Sequence, residues 1–403
     1  MGIKSLRLTL LIVCCVAVPA QLQAQPSDSR SPQFVTEVKQ GFTDLFELDY
    51  AEAQKRFTQL ADRFPEHPGP PLYQATTVWL HELFERQDLD LDKFITPSYF
   101  TEKTGQTMSK ANREFFMDKL ERARTLCNDI LSKKPGDVRA RYFLGAIEGV
   151  EASFYITIDH SLGNAFKHGK LAYKYDSEVL KEDPEFYDAY MTVGMYQYIV
   201  GSLPWYVKWI AAVIGFHGSK EQGLEDLQLA AEHGEFVADD SRVLQMVLFV
   251  RDGRYKDALR LAQFLHDRFP KNFLFNLNRA QIEEKMGRQS AALDIYLEIA
   301  RLAEQKVPNY QKLQQIPYFL QLAPKLRKAG ELTAAEELLR KVVAQPTATP
   351  SDLALARLEL GRTLDLADQR SRAEEQYRKV LDLPDVDGSR KEASRLLKRP
   401  FSG

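Results

Sequence analysis

The sequence predicts an all-α superhelix, a solenoid of about seven helical hairpins. Three observations support this fold class: small residues recur at hairpin spacing, apolar residues follow helical periodicity almost throughout, and no convincing alternating strand pattern appears. In the C-terminal half, Ala258 and Ala292 are 34 residues apart. Such an array buries its core between neighbouring units, so it holds other molecules more often than it catalyses reactions.

Seven alanines each mark one predicted hairpin. Where two helices cross, only a small side chain lets the backbones approach, and bulky residues one turn away fill the groove beside it. Gly41 is paired with Ala53 in this way. Gly361 is paired with Ala373 by the same spacing. The alanines are Ala53, Ala123, Ala172, Ala258, Ala292, Ala335 and Ala373.

Short breaks separate the hairpins and allow each helix to end before the next begins. Ser351 with Asp352 offers an N-cap after the last of these breaks. The breaks fall at residues 65–71, 134–137, 182–185, 269–272 and 346–351.

The N-terminus predicts a secretory signal peptide at residues 1–24. Lys4 and Arg7 supply the positive start, and residues 8–18 form an apolar run too short to span a membrane as a mature helix. A small-residue cleavage site ends at Ala24. We therefore expect a bacterial protein that is periplasmic or secreted, with an uncleaved anchor as the alternative.

The charge balance excludes one class of partner. The 403 residues carry 54 Lys and Arg against 56 Asp and Glu, spread along the whole length. A nucleic-acid-binding protein concentrates basic residues on one face, and nothing here does so. No nucleic-acid partner is expected.

Cys127 is the only cysteine that remains once the signal peptide is removed, so an internal disulfide is excluded. It lies four residues after Ala123, where a repeat packs a bulky apolar side chain, and a buried, unreactive thiol is expected. Lipidation at Cys14 is a less favoured alternative, because Val13 stands where a lipidation site has a small residue.

Repeat spacing divides the mature chain into two regions. Residues 25–235 form a divergent N-terminal helical region, which carries inserts at residues 87–105 and 199–218. Residues 236–403 form a more regular array that ends in a basic capping helix.

The first insert carries three alternating aspartates, Asp88, Asp90 and Asp92. An EF-hand loop would add a glycine turn and a terminal glutamate, and both are missing. An exposed polar loop is therefore expected in preference to a calcium site.

The repeat spacings resemble the tetratricopeptide-repeat superfamily across nearly the whole mature chain. Four stretches carry a narrower likeness: residues 45–53 (LFELDYAEA), 201–204 (GSLP), 214–218 (IGFHG), and Gly223-Leu224 with Leu227. Through them, residues 41–234 resemble the eukaryotic inclusion-body-clearance proteins and their animal relatives. The resemblance implies an adaptor role, tied in that family to protein inclusions and lipid bodies, and no catalytic residues. Because this chain has an export signal and departs from the family at Ser219 and Lys220, only the fold is carried over.

The second insert contains an apolar stretch with Trp205 and Trp209 four residues apart and Lys208 between them. At about 12 residues it cannot cross a bilayer, which needs about 20. Two tryptophans on one helical face suit membrane-surface insertion or capture of an apolar partner. The alternative is a helix buried between repeats.

Four residues are predicted to line the concave groove. Counting from the small residues Gly145 and Gly194 places them on the first helix of two hairpins. Apolar and adaptable side chains of this kind suit an extended or helical peptide, and packing in the core is the alternative for each. The four are Tyr142, Met191, Met195 and Tyr198.

No catalytic constellation is found. His81 and Glu85 are four residues apart, whereas a zincin has a second histidine at that place. No catalytic residue, cofactor or metal is therefore expected. The predicted function is an exported, non-catalytic scaffold that binds a protein or peptide through its concave groove. The alternative is a peripheral membrane or lipid-associated adaptor that docks through Trp205 and Trp209.

Overall fold

The structure is a computed structural model that describes residues 31–96, 107–203 and 218–403. These residues form eighteen α-helices and no strand, which confirms the predicted all-α class. The helices are α1 (Pro32–Phe46), α2 (Tyr50–Arg63), α3 (Gly69–Glu85), α4 (Leu91–Ile95), α5 (Lys110–Lys133), α6 (Val138–Thr157), α7 (Leu162–Glu182), α8 (Ala189–Gly201), α9 (Lys220–His233), α10 (Ala238–Arg251), α11 (Tyr255–Arg268), α12 (Phe273–Lys285), α13 (Gln289–Glu304), α14 (Gln315–Lys328), α15 (Leu332–Ala344), α16 (Pro350–Leu366), α17 (Arg370–Leu381) and α18 (Ser389–Lys398), with a 3-10 turn at Tyr310–Lys312.

Within the described residues the helices pack as eight hairpins, and α4 lies in the loop of the second one. The pairs are α1/α2, α3/α5, α6/α7, α8/α9, α10/α11, α12/α13, α14/α15 and α16/α17, and α18 caps the last of them. First helices of successive hairpins touch each other at α3/α6, α6/α8 and α14/α16. Because the first helices approach one another, they form the inner wall of the curved array, and the second helices form the outer wall.

All seven alanines chosen from the sequence are buried, with at most 1% of each residue exposed. Each lies on the second helix of a hairpin. The eighth hairpin, α8/α9, is additional to the predicted seven. Its crossing point is Gly223 rather than an alanine, so the alanine spacing passes over it.

Side-chain caps fix several helix starts. Asp137 accepts a hydrogen bond from the backbone N–H of Ala140 at the start of α6. At α16 the cap is Thr349, whose side chain and Asp352 form a reciprocal capping box. The predicted cap at Ser351 is therefore wrong, because Pro350 already occupies the first helical turn and Asp352 is its third residue.

The array curls until its first hairpin touches the sixth. Nδ2 of Asn272, at the start of α12, donates to the carbonyl oxygen of Phe46 at 2.6 Å. The Phe46 ring stacks on Phe269, with centroids 4.8 Å apart. The inner space is therefore bounded on one side by the corner between α1 and α2.

A second set of contacts fixes the same corner. Nδ2 of Asn309 donates to the carbonyl oxygen of Glu47, and Nζ of Lys312 donates to that of Leu48 at 2.7 Å. Leu48 and Asn309 both have left-handed backbones, with φ of 66° and 68°. A left-handed leucine is uncommon and persists only where its surroundings hold it. Leu48 is 2% exposed, so its buried side chain and its bonded carbonyl hold it there.

Within the described ranges, every helix is too short or too polar to span a membrane.

Candidate binding surface

Two of the four predicted groove residues lie in the core. Tyr142 is 8% exposed and packs on Phe186, with ring centroids 4.9 Å apart. Tyr198 is 1% exposed, and its hydroxyl donates to Oδ1 of Asp252 at 2.7 Å. Placing these two tyrosines on an open groove was therefore wrong, because the neighbouring helices cover both positions.

The other two predicted residues reach the surface. Met191 and Met195 on α8 are partly buried against a small cluster that contains Leu227 and Leu248. They lie on α8, which is the first helix of its hairpin and therefore part of the inner wall. That these two methionines contact a binding partner stays a prediction.

Trp205 and Trp209 lie outside the described residues. Membrane docking through these two tryptophans therefore stays a prediction from the sequence.

Four residues at the first helices influence one another's charge, and we call them the acidic cluster: Tyr73, Tyr142 and Asp240 within α3, α6 and α10, and Asp188 as the N-cap of α8. Burial, followed by the negative charge of Asp188, raises the pKa of both tyrosines. Burial, then the charges of Asp239 and Asp188, raises the pKa of Asp240 to about 7. Strongly perturbed carboxyls of this kind gather at functional surfaces more than elsewhere.

Asp188 also has a structural role. Its Oδ1 accepts the backbone N–H of Phe236 at 3.1 Å, which fixes the loop before α10 against the start of α8. Burial raises the pKa of Asp188, and the hydrogen bonds that it accepts from the backbone N–H groups of Phe236 and Val237 oppose that rise. Asp240 is the one member of the cluster that is partly exposed rather than buried.

The inner wall at α10 and α12 is covered by a segment of the same chain, residues 86–96, which we call the inner segment. It contains α4, which packs on α10 and α12. Leu91 is 1% exposed and belongs to the same buried cluster as Met246 and Val250.

Polar contacts hold the inner segment on α12. Oδ1 of Asp90 accepts from Nε2 of Gln281 at 2.9 Å, and Oδ1 of Asp92 is 2.7 Å from Nζ of Lys285. Asp88 is 4% exposed and accepts from Nζ of Lys93 at 2.7 Å. The expected exposed loop was therefore wrong at Asp88, which is buried, and at Asp90, which is partly buried, whereas the side chain of Asp92 is 53% exposed.

A cluster of possible metal ligands that the sequence reasoning missed lies between α6 and α7. Nδ1 of His168 is 2.7 Å from Oε2 of Glu148 and 3.6 Å from Oε2 of Glu151. Nη2 of Arg124 already contacts both carboxylates, at 3.1 and 2.6 Å. A cation therefore already occupies the space between the two carboxylates. The two glutamates three residues apart were the available sequence signal.

The structure also describes the His81/Glu85 pair and Cys127, which the sequence analysis considered. His81 and Glu85 lie 3.4 Å apart, and their side chains are 52% and 63% exposed. Cys127 is fully buried, which confirms that prediction, and burial raises the pKa of its thiol to about 12.

The family Iml2/Tetratricopeptide repeat protein 39 has a model that matches residues 189–320. The match confirms the narrower resemblance, although it shares only residues 189–234 with the range read from the sequence and continues into α14. No curated protein matches the chain.

Three solved structures are similar over most of this chain. Yeast Tom70 is 13% identical, with 91% of this chain and 88% of that chain covered and a TM-score of 0.33. A tetratricopeptide repeat protein from Parabacteroides merdae ATCC 43184 is 13% identical, with 91% and 98% covered and a TM-score of 0.28. The human IFIT1 dimer with PPP-AAAA is 15% identical, with 86% and 71% covered and a TM-score of 0.35.

Identities and TM-scores this low carry no argument about what the chain binds. The chain folds as a tetratricopeptide-repeat-like solenoid, and its residues 189–320 are similar to the Iml2/Tetratricopeptide repeat protein 39 family.

Proposed function

We propose that the mature chain is an exported, non-catalytic scaffold that binds a protein or peptide partner along its inner wall. One observation carries the proposal: the wall at α10 and α12 holds a peptide segment through a buried leucine, Leu91, and through side-chain bonds to Asp90 and Asp92. A groove that accepts an apolar anchor flanked by polar contacts has the chemistry of peptide recognition.

Two further features of the wall support binding. Met191 and Met195 offer unbranched, polarisable side chains that adapt to different apolar surfaces. The acidic cluster favours a basic group on part of the partner, because a nearby cation would stabilise the charged forms of Asp188 and Asp240 that burial destabilises. The non-catalytic role is supported by Glu148 and Glu151, which are engaged by Arg124 and His168.

Site-specific photo-crosslinking tests the surface. A photoreactive amino acid placed at Met191 or Met195 should capture a protein in the compartment that holds the mature chain. The matched control is Arg260 on α11, whose side chain is 80% exposed on an outer helix. Capture from Arg260 but not from the methionines would overturn the proposal.

Export is tested on the same preparation. The mature chain should begin at Gln25 and fractionate with the periplasm or the medium. Retention of residues 1–24 on the purified protein would contradict cleavage. If liposomes bind the full mature chain and the Trp205→Ala/Trp209→Ala variant does not, membrane docking replaces peptide capture as the function.

A further inference from the structure

We infer that the partner presents an acidic segment in which a leucine stands between two carboxylates, and that the inner segment occupies the partner's place in the free protein. This inference rests on the proposed function, because it names the chemistry of the ligand for the same wall. The carrying observation is the Asp90-Leu91-Asp92 sequence seated on α10 and α12.

The wall contacts this sequence through one apolar site and two polar side chains. Leu91 enters the buried cluster formed by α10 and α12. Gln281 and Lys285 are four residues apart on α12, so they lie on one face, one helical turn from each other. The amide of Gln281 donates to Asp90, and the ammonium of Lys285 pairs with Asp92.

The charges select against a basic segment at this place. Replacing Asp92 by a lysine or arginine would put two cations beside each other at Lys285. The acidic cluster has the opposite preference, but Asp240 is at the start of α10 whereas Lys285 is the last residue of α12. The preference for a basic group at Asp240 and the preference for an acidic group at Lys285 therefore belong to opposite ends of the first helices.

The inner segment is held by the wall rather than by its own stability. Its helix α4 has five residues, far fewer than an isolated helix needs to persist in water. Leu91 is its only fully buried apolar side chain, and the side chain of Asp92 is 53% exposed beside Lys285. A segment of another protein with the same contacts competes for the same site.

The inner segment competes with a partner from within the same chain, so it determines how tightly a partner must bind. A covalently tethered segment has an effective concentration in about the millimolar range. A peptide in trans therefore binds the unmodified chain weakly and binds a chain with a released inner segment much more tightly.

The test uses a fluorescent peptide with the sequence of residues 86–96 and the full mature chain. The variant Asp90→Ala/Leu91→Ala/Asp92→Ala removes the contacts that these three residues make with α10 and α12, and it leaves the wall intact. Fluorescence anisotropy should show that this variant binds the peptide about tenfold or more tightly than the unmodified chain. Adding Lys285→Glu to the variant should abolish the gain, as should replacing the leucine at the Leu91 position of the peptide by aspartate.

Equal binding by the two chains, or binding by neither, overturns the inference. The inference is also overturned if the unmodified chain is a dimer in solution and the triple substitution dissociates it. In that case α4 would be exchanged between the two copies. If the triple variant does not fold, hydrogen exchange on the unmodified chain decides. Saturating peptide should then accelerate amide exchange in residues 86–96, and unchanged exchange contradicts the inference.

Failure of this inference is distinguishable from failure of the proposed function. If Met191 and Met195 capture a partner while the acidic peptide does not bind, the scaffold role stands and only the ligand chemistry is wrong. If capture occurs only from Arg260, the inner wall is not the binding surface at all.

Discussion

Gly194 of α8 and Gly223 of α9 face each other so closely that neither can carry a β-carbon. A Cβ on Gly194 would lie 2.8 Å from the carbonyl oxygen of Gly223, and a Cβ on Gly223 would lie 2.6 Å from that of Gly194. Because both neighbours are backbone atoms, the clash cannot be relieved by a side-chain rotation. This contact sets the spacing of the hairpin that carries Met191 and Met195.

The substitution Gly223→Ala should therefore lower the free energy of unfolding by about 1–3 kcal/mol, since the two helices must separate to admit the methyl group. Urea denaturation of the purified protein measures the change. The matched control is Gly149→Ala on α6, where an added Cβ meets nothing within 4 Å.

In the control, loss of a helical glycine should raise the free energy of unfolding by up to about 1 kcal/mol. Equal stability of Gly223→Ala and the unmodified protein would show that the close contact is not maintained in solution.

Much of the fold could be read from the sequence because small residues at helix crossings are a local requirement. All seven alanines were found in this way, and each is buried. The eighth hairpin was missed because Gly223 meets the same requirement without being an alanine. Closure of the array could not be read, because it depends on angles accumulated over several hairpins.

The candidate site was less predictable for a related reason. Counting from Gly194 places Tyr198 on the correct helix but does not reveal that neighbouring residues cover it. The alternation of Asp88, Asp90 and Asp92 suggested an exposed loop. Only the three-dimensional return of the first insert to α12 brings Asp90 to Gln281, 191 residues away along the chain.

Arg124 is the group that makes the carboxylate cluster between α6 and α7 stable. Its guanidinium contacts Glu148 and Glu151, which are 6% and 8% exposed. Although burial lowers its pKa, hydrogen bonds to the glutamates leave that pKa above its ordinary value. Arg124→Met should lower the free energy of unfolding by about 2–4 kcal/mol, because two buried carboxylates lose their cation.

The matched control for that variant is Lys110→Met, since the Lys110 side chain is 89% exposed beside Glu114 and such pairs contribute under about 1 kcal/mol. A chelator should leave the melting temperature of the unmodified protein unchanged. A fall in melting temperature on chelation would instead show that Glu148, Glu151 and His168 hold a metal ion.

Asp240 should make the protein less stable as pH rises through the neutral range. Burial and two neighbouring aspartates raise its folded pKa from 3.8 to about 7. Between about pH 4 and pH 7 the folded chain keeps a proton that the unfolded chain has released, so the free energy of unfolding falls with rising pH and levels off above pH 7.

The variant Asp240→Asn cannot ionise and should lose this pH dependence. At pH 8 it should be more stable than the unmodified protein by about 1–3 kcal/mol, and near pH 4 the two should agree. Denaturation at a series of pH values measures both curves. Parallel curves from pH 4 to pH 8 would contradict the raised pKa.

Closure of the array can be tested at Asn309 without disturbing its backbone. The residue has φ of 68°, and its amide donates to the carbonyl oxygen of Glu47. Asn309→Gly keeps the left-handed conformation at no steric cost and removes the side chain whose amide makes the bond. The unmet carbonyl should lower the free energy of unfolding by about 1–2 kcal/mol and speed amide exchange at the corner between α1 and α2.

Lys271→Ala is the control for closure, because Lys271 reaches the same residue, Glu47, through an ion pair and its side chain is 47% exposed. Exposed pairs contribute under about 1 kcal/mol, so this variant should leave exchange at the corner nearly unchanged. If both variants behave alike, the buried amide does not hold the first hairpin. If only Asn309→Gly loosens the corner, the hydrogen bond from Asn309 to the Glu47 carbonyl contributes to closure alongside the contacts of Asn272 and Lys312 with the same corner.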